Sequence, residues 1–162
     1  MLDRSLKVLF TTLLGLMTLL YAIDNLINLQ ASYATFDLVL GMSQNKVFPK
    51  GLIPPIGPPL SHIAAWVTYS AEFLTGLVLL WGAVVLYQAR GLEARVFRRA
   101  SGPARLGAGL AVLTWFGLVE VVGGALFQMS QSTVGASSLD NAFKFSVWAF
   151  LLLIWLGLPE RD

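Results

Sequence analysis

Residues 106–129 read LGAGLAVLTWFGLVEVVGGALFQM, an almost unbroken apolar run that decides the fold. At a rise of about 1.5 Å per residue, such a run crosses a hydrocarbon core about 30 Å thick. Helical spacing puts Gly109, Leu113, Gly117, Glu120, Gly124 and Gln128 on one small, polar face, with Leu, Val, Trp and Phe on the others. A stripe of this kind predicts a second helix packed against Gly109, Gly117 and Gly124, and a group that satisfies Glu120 within the membrane.

Three more apolar runs flank it, over residues 6–29, 63–87 and 142–158. The expected architecture is therefore one all-α membrane domain over residues 1–162, a bundle of four transmembrane helices. The first run is too long for the apolar region of a signal peptide, and no A-x-A pattern follows it. Its small face is Thr11, Gly15, Thr18 and Ala22, and its far end gathers Tyr21, Asp24, Asn25 and Asn28. In the second run Glu72 lies at the centre, sharing its face with Thr68, Tyr69, Thr75 and Gly76. The fourth run is near the lower length limit for a span. Ser137 and Asp140 resemble a capping box for its helix, Lys144 falls in the expected first turn, and Pro159 stops it. Trp66, Tyr69, Tyr87 and Trp155 fit interfacial aromatic belts, whereas Trp115 and Trp148 lie deeper and are expected to pack.

Composition supports the membrane assignment and removes whole classes of function. The chain is 56 % hydrophobic and only 12 % charged, with a mean hydropathy of +0.71, too apolar for a soluble domain. It has no cysteine, which excludes disulfide exchange, thiolate catalysis and cysteine-ligated zinc or iron–sulfur centres. Its one histidine, His62, excludes a bis-histidine haem held by this chain alone. No Ser-His-Asp set, HExxH motif or phosphate-binding glycine loop is present. The expectation is a protein without catalytic residues, metal or cofactor.

Two connections differ sharply in charge. The outer loop, residues 30–62, is expected to hold a short interfacial helix over 31–42. Pro49, Pro54, Pro55, Pro58 and Pro59 follow, serving as a stiff connector or as a docking segment. The connection over 88–105 carries Arg90, Arg95, Arg98, Arg99 and Arg105, expected to contact anionic lipid headgroups at about 1 kcal/mol per cation. No domain surrounds this patch to present it to nucleic acid. The positive-inside bias puts the 88–105 connection and both termini in the cytoplasm, with a bacterial cytoplasmic membrane as the expected location.

Counting from the helix ends, Glu72 lies about 15 Å deep, Glu120 about 14 Å, Asp24 about 9 Å and Lys144 about 5 Å. Asp24, Asn25, Asn28, Glu72, Glu120, Gln128 and Lys144 thus form one expected intramembrane polar cluster in the outer half. A lone charge in hydrocarbon costs at least about 2.5–3.5 kcal/mol, so some acids are protonated or a further group completes the site. Either Glu72 and Glu120 fix helix register through hydrogen bonds, or they share a proton or cation on a transport path. The first reading leads: an accessory subunit bound to lipids and to other membrane subunits or further copies of itself.

The segments GGALFQMSQS (Gly123–Ser132) and NAFKF (Asn141–Phe145), with Glu72 inside YSAEFLTG and a loop ending near Phe48-Pro49, carry a resemblance. The chain resembles the predicted small integral membrane proteins classed as domain of unknown function 2165. The family has Glu-Trp after its paired glycines, where this chain has Ala125-Leu126, and Glu120 stands one turn earlier. The resemblance implies the four-span architecture and no particular activity.

Overall fold

The computed structural model describes residues 1–159. Helix α1 spans Leu2–Ile27, α2 Leu29–Leu40, α3 Leu60–Ala89, α4 Ala94–Ala100, α5 Gly102–Val112 and α6 Thr133–Gly157. Four helical stretches are long and apolar enough to cross a membrane: α1, α3, the run from α4 through Leu126, and α6. The protein is an all-α polytopic membrane protein.

Helix α3 is the axis of the bundle, packed between α1 and α5, with α6 closing against α5. Glycine makes these contacts close. A Cβ on Gly76 would stand 2.5 Å from Leu19 Cγ, and one on Gly82 would stand 2.5 Å from the Ala104 Cα. Small residues let helix backbones approach in lipid, where dispersion contacts replace the hydrophobic effect as glue. Thr11, Gly15, Thr18 and Ala22 are all buried, and this is the face α1 turns to α3. Leu79, Leu86, Ala108, Trp115 and Leu152 belong to the main core.

The third span departs from the expected α-helix. From Leu113 to Leu126 its backbone is a π-helix. Hydrogen bonds there reach five residues back, as from the Phe127 N–H to the Val122 carbonyl at 3.2 Å. More residues fit in each turn, so a face drawn at the α period drifts away from the real one. Its buried residues are Ala104, Gly107, Ala108 and Ala111, then Thr114, Trp115 and Gly123. Of the expected packing stripe, Gly109 and Gly117 have open space where a Cβ would be, while Gly124 lies 3.0 Å from Leu139 Cδ2 by the same measure. The expected stripe is thus corrected: α5 packs through Gly107, not Gly109.

The fourth span starts earlier than expected. Ser132 is its N-cap, accepting from the Gly135 N–H at 3.0 Å, so Ser137 and Asp140 lie inside the helix and form no capping box. Lys144 is then three turns in, exposed, and paired with Asp140 one turn before it. Trp115 is buried as expected. Trp148 faces outward, and Tyr69 is buried rather than part of an interfacial belt.

At one end of the bundle the head of α1 is held by the arginine-rich connection and by α6. Arg4 donates to the Arg90 and Leu92 carbonyls and stands over the Phe97 ring. Lys7, 2 % exposed, pairs with Asp3 and faces the Trp155 ring, whose Nε1–H donates to Asp3. At the other, distal end, α2 and the proline-rich loop fold over the bundle. Asp37 anchors α2 to α3 by accepting from the Ser61 hydroxyl and pairing with His62, whose ring stacks on Tyr33 at 4.0 Å. The loop is clamped by the turn that follows the π-helix. Gln131 accepts from the Val47 and Phe48 N–H groups, and Gln128 donates to the Lys50 carbonyl. Gln128 itself has φ 53°, a left-handed conformation that side chains other than glycine rarely take. Its side chain, bonded to Asn45, Lys50 and Gln131, fixes it there.

Candidate functional site

Below the distal cap lies a cavity of about 570 Å³, bounded by α1, α2, α3 and the π-helix. Its walls are apolar, with Phe36, Val39, Ile63, Val67, Leu118 and Val122 among them. Its polar lining is Asn25, Ser32, Thr35, Thr68 and Ser138 together with Tyr69 and Glu72. Tyr69 and Glu72 are three residues apart on α3, so the helix presents both on one face. Glu72 is 7 % exposed. Asn25 Nδ2 donates to Glu72 Oε2 at 3.1 Å, and Trp115 stands beside the same carboxyl group. Asn25 in turn accepts from the Ser32 hydroxyl. The Tyr69 hydroxyl is buried and has no hydrogen-bond partner among the described residues.

The expected polar cluster is therefore divided. Asn25 and Glu72 meet at the cavity. Asp24 and Asn28 are exposed and bond to each other one turn apart at the end of α1. Gln128 belongs to the loop clamp, and Lys144 to an exposed pair with Asp140. Glu120 is half-buried on the π-helix, and its Oε1 is shielded without a partner among the described residues. No hydrogen bond between Glu72 and Glu120 is found among the described residues, so the alternative in which they share a proton has no direct contact behind it. No three histidine, cysteine, aspartate or glutamate side chains converge as a metal-ligand set among the described residues.

Arg95, Arg98, Arg99 and Arg105 are exposed at the opposite end. Arg90 instead stacks on Tyr87, its guanidinium carbon 3.6 Å from the ring centre. Sequence reasoning placed Tyr69 on the Glu72 face by spacing. It missed Ser32 and Trp115, which reach the site only through tertiary packing, and the Asp37–Ser61–His62 anchor, which joins one residue of α2 to two of α3. The apolar surface of α1 and α6 holds a second hollow, of about 480 Å³, whose lining is entirely apolar or aromatic.

The family described as predicted small integral membrane protein (DUF2165) matches residues 3–159. No curated protein and no solved structure matches the chain.

Proposed function

The chain belongs to that family, and from this premise we propose that it is a non-catalytic accessory subunit of a larger membrane assembly, met through its third span. The observation that carries this reading is Glu120. An intramembrane carboxyl group faces a partner or a cavity as a rule, because leaving it unpaired in hydrocarbon is costly. Here its shielded Oε1 has no partner among the described residues. Gly109 and Gly117, on the same span, leave open space in which another helix can approach closely. Glu120 as a whole is half-buried, and a second subunit packed on this span would cover the part of it that this chain leaves open. In this reading the exposed arginines hold the other end at anionic headgroups, and the positive-inside bias puts that end in the cytoplasm of a bacterial cell.

The test is purification in a mild detergent with mass spectrometry of what accompanies the chain, for wild type, Glu120→Gln and Glu120→Leu. Glutamine keeps much of the hydrogen-bonding capacity and leucine keeps none. The expected result is a stoichiometric companion, or a second copy, retained by wild type and Glu120→Gln and lost from Glu120→Leu. A wild-type chain that runs alone in detergent and in nanodiscs would sink the reading. The alternative is a proton- or cation-coupled carrier, and Glu72 beside a cavity is what favours it. It requires ion flux in proteoliposomes that disappears in Glu72→Gln while the fold survives.

A further inference from the structure

The cavity beneath the distal cap has features that the accessory reading does not use. It is enclosed enough to define a volume, about 570 Å³, within the range of about 300–1,000 Å³ typical of small-molecule sites. Ile63 and Val67 line it and are exposed on the flank of α3, and Val122 does the same on the π-helix. The entrance therefore opens sideways toward lipid. Apolar walls alone would make this a lipid-filled crevice. Its polar lining distinguishes it.

Tyr69 is 2 % exposed, and its hydroxyl has no partner among the described residues. A buried hydroxyl left without a hydrogen bond is destabilising, and native proteins rarely leave one so. Tyr69 is not forced there by packing alone, since phenylalanine would fill the same ring position against Phe36 and Trp66 without that penalty. Beside it stands Glu72, already oriented by Asn25 through a 3.1 Å hydrogen bond. The site thus offers one donor with no hydrogen bond in range, the Ser32 hydroxyl nearby, and, one turn away, a fixed carboxyl oxygen. A hydroxyl group satisfies both together, accepting from Tyr69 and donating to Glu72. It does so whether or not Glu72 carries a proton, because a carboxyl group has an acceptor oxygen in either state. A carboxylate head would meet an ionised Glu72 as a like charge. A quaternary ammonium head would have nothing to offer the Tyr69 hydroxyl.

We propose that this cavity binds a single-chain lipophilic molecule with a hydroxyl head, entering from the bilayer with its chain along the apolar wall and its head between Tyr69 and Glu72.

The experiment uses the full chain in phosphatidylcholine nanodiscs and reads quenching of tryptophan emission by ω-bromo-dodecanol. Bromine quenches on contact, and Trp66 and Trp115 adjoin Tyr69 and Glu72 respectively. The expected result is a saturable component for the alcohol, and none for ω-bromo-dodecanoate or ω-bromo-dodecyl-trimethylammonium. Tyr69→Phe removes one hydrogen bond and keeps the ring, so the alcohol should bind about three- to ten-fold more weakly. Ala64→Phe, which projects a ring from the half-buried cavity wall, should abolish saturation. Quenching that rises linearly with the probe in the bilayer overturns the site. Equal binding by wild type and Tyr69→Phe overturns the role of the hydroxyl, and equal binding of the acid overturns the ligand class. Tyr69→Phe needs no repacking, so it remains informative even if Ala64→Phe does not fold.

Discussion

Replacing Gly82 by alanine places a methyl carbon 2.5 Å from both the Cα and the backbone nitrogen of Ala104. Carbon atoms rest at about 3.5–4.0 Å from one another, so α3 and α5 must part by about 1 Å at this crossing. Both obstructing atoms are backbone, and no rotamer change can relieve them. Overpacking of this kind costs about 1–3 kcal/mol, and the rigid neighbour puts Gly82→Ala at the upper end. Gly109→Ala is the counterpart on the facing helix. Nothing lies within 4 Å of its new methyl group, and losing a mid-helix glycine gains about 0.5–1 kcal/mol. The two single-methyl variants should therefore differ by about 2–4 kcal/mol, with opposite signs relative to wild type. Reversible unfolding in mixed micelles of a mild detergent and dodecyl sulfate measures both. Equal destabilisation by the two substitutions would mean that the third span packs through its 109–117 stripe and that the helix face described above is wrong.

Two further outcomes are expected. The Ser61 hydroxyl, with His62 beside it, holds the Asp37 carboxyl below its ordinary value of 3.8 against the opposing pull of burial. A depressed acid stabilises the fold above its ordinary pKa and loses that contribution as pH falls through the lower, folded value. The α2 anchor should then persist to below pH 3.8 in wild type, and Ser61→Ala should shift its release upward toward that value. Trp66, whose indole N–H donates to the Tyr33 hydroxyl at 2.7 Å, reports it by fluorescence; an unchanged acid profile in Ser61→Ala would remove Ser61 from the cause. A reporter fused after Arg95 should be active only in its cytoplasmic form, and activity of a periplasmic one there inverts the proposed orientation.

Span number and the small face of α1 were legible because both follow from composition and α periodicity, and α1 is a regular α-helix. The third span defeated the same method. Its hydrogen bonds reach five residues back from Leu113 onward, and no residue type in LTWFGLVEVVGGAL announces that change. Gly117, inside that stretch, therefore seemed to face a neighbour; Gly109 precedes it, in the α-helical part whose contact with α3 runs through Ala104 and Gly107 instead. At the fourth span the helix starts at the Ser132 cap, whose hydroxyl accepts from the Gly135 N–H, five residues before the Ser137 that the capping-box spacing marked. Glu72 and Tyr69 were visible as neighbours by spacing, and Asn25 as a polar residue at the end of α1. Their meeting around one cavity depends on how α1 crosses α3, which single-helix patterns do not encode. The Gln131 clamp is harder still, since it pairs residues more than 80 positions apart through one side chain.

The head of α1 carries a consequence for how the chain is made. Beyond the Lys7–Asp3 pair within the first helix, Asp3, Arg4 and Lys7 find partners on Arg90, Leu92, Phe97 and Trp155. None of those residues exists while the first two helices are leaving the ribosome and entering the bilayer. During that interval Arg4 and Lys7 lack the carbonyls and rings of later segments that they meet in the finished bundle. Once Trp155 has been synthesised, the same two side chains withdraw into the bundle, where they end 8 % and 2 % exposed. The head of the first helix thus acts as a latch that closes only when the last helix is in place.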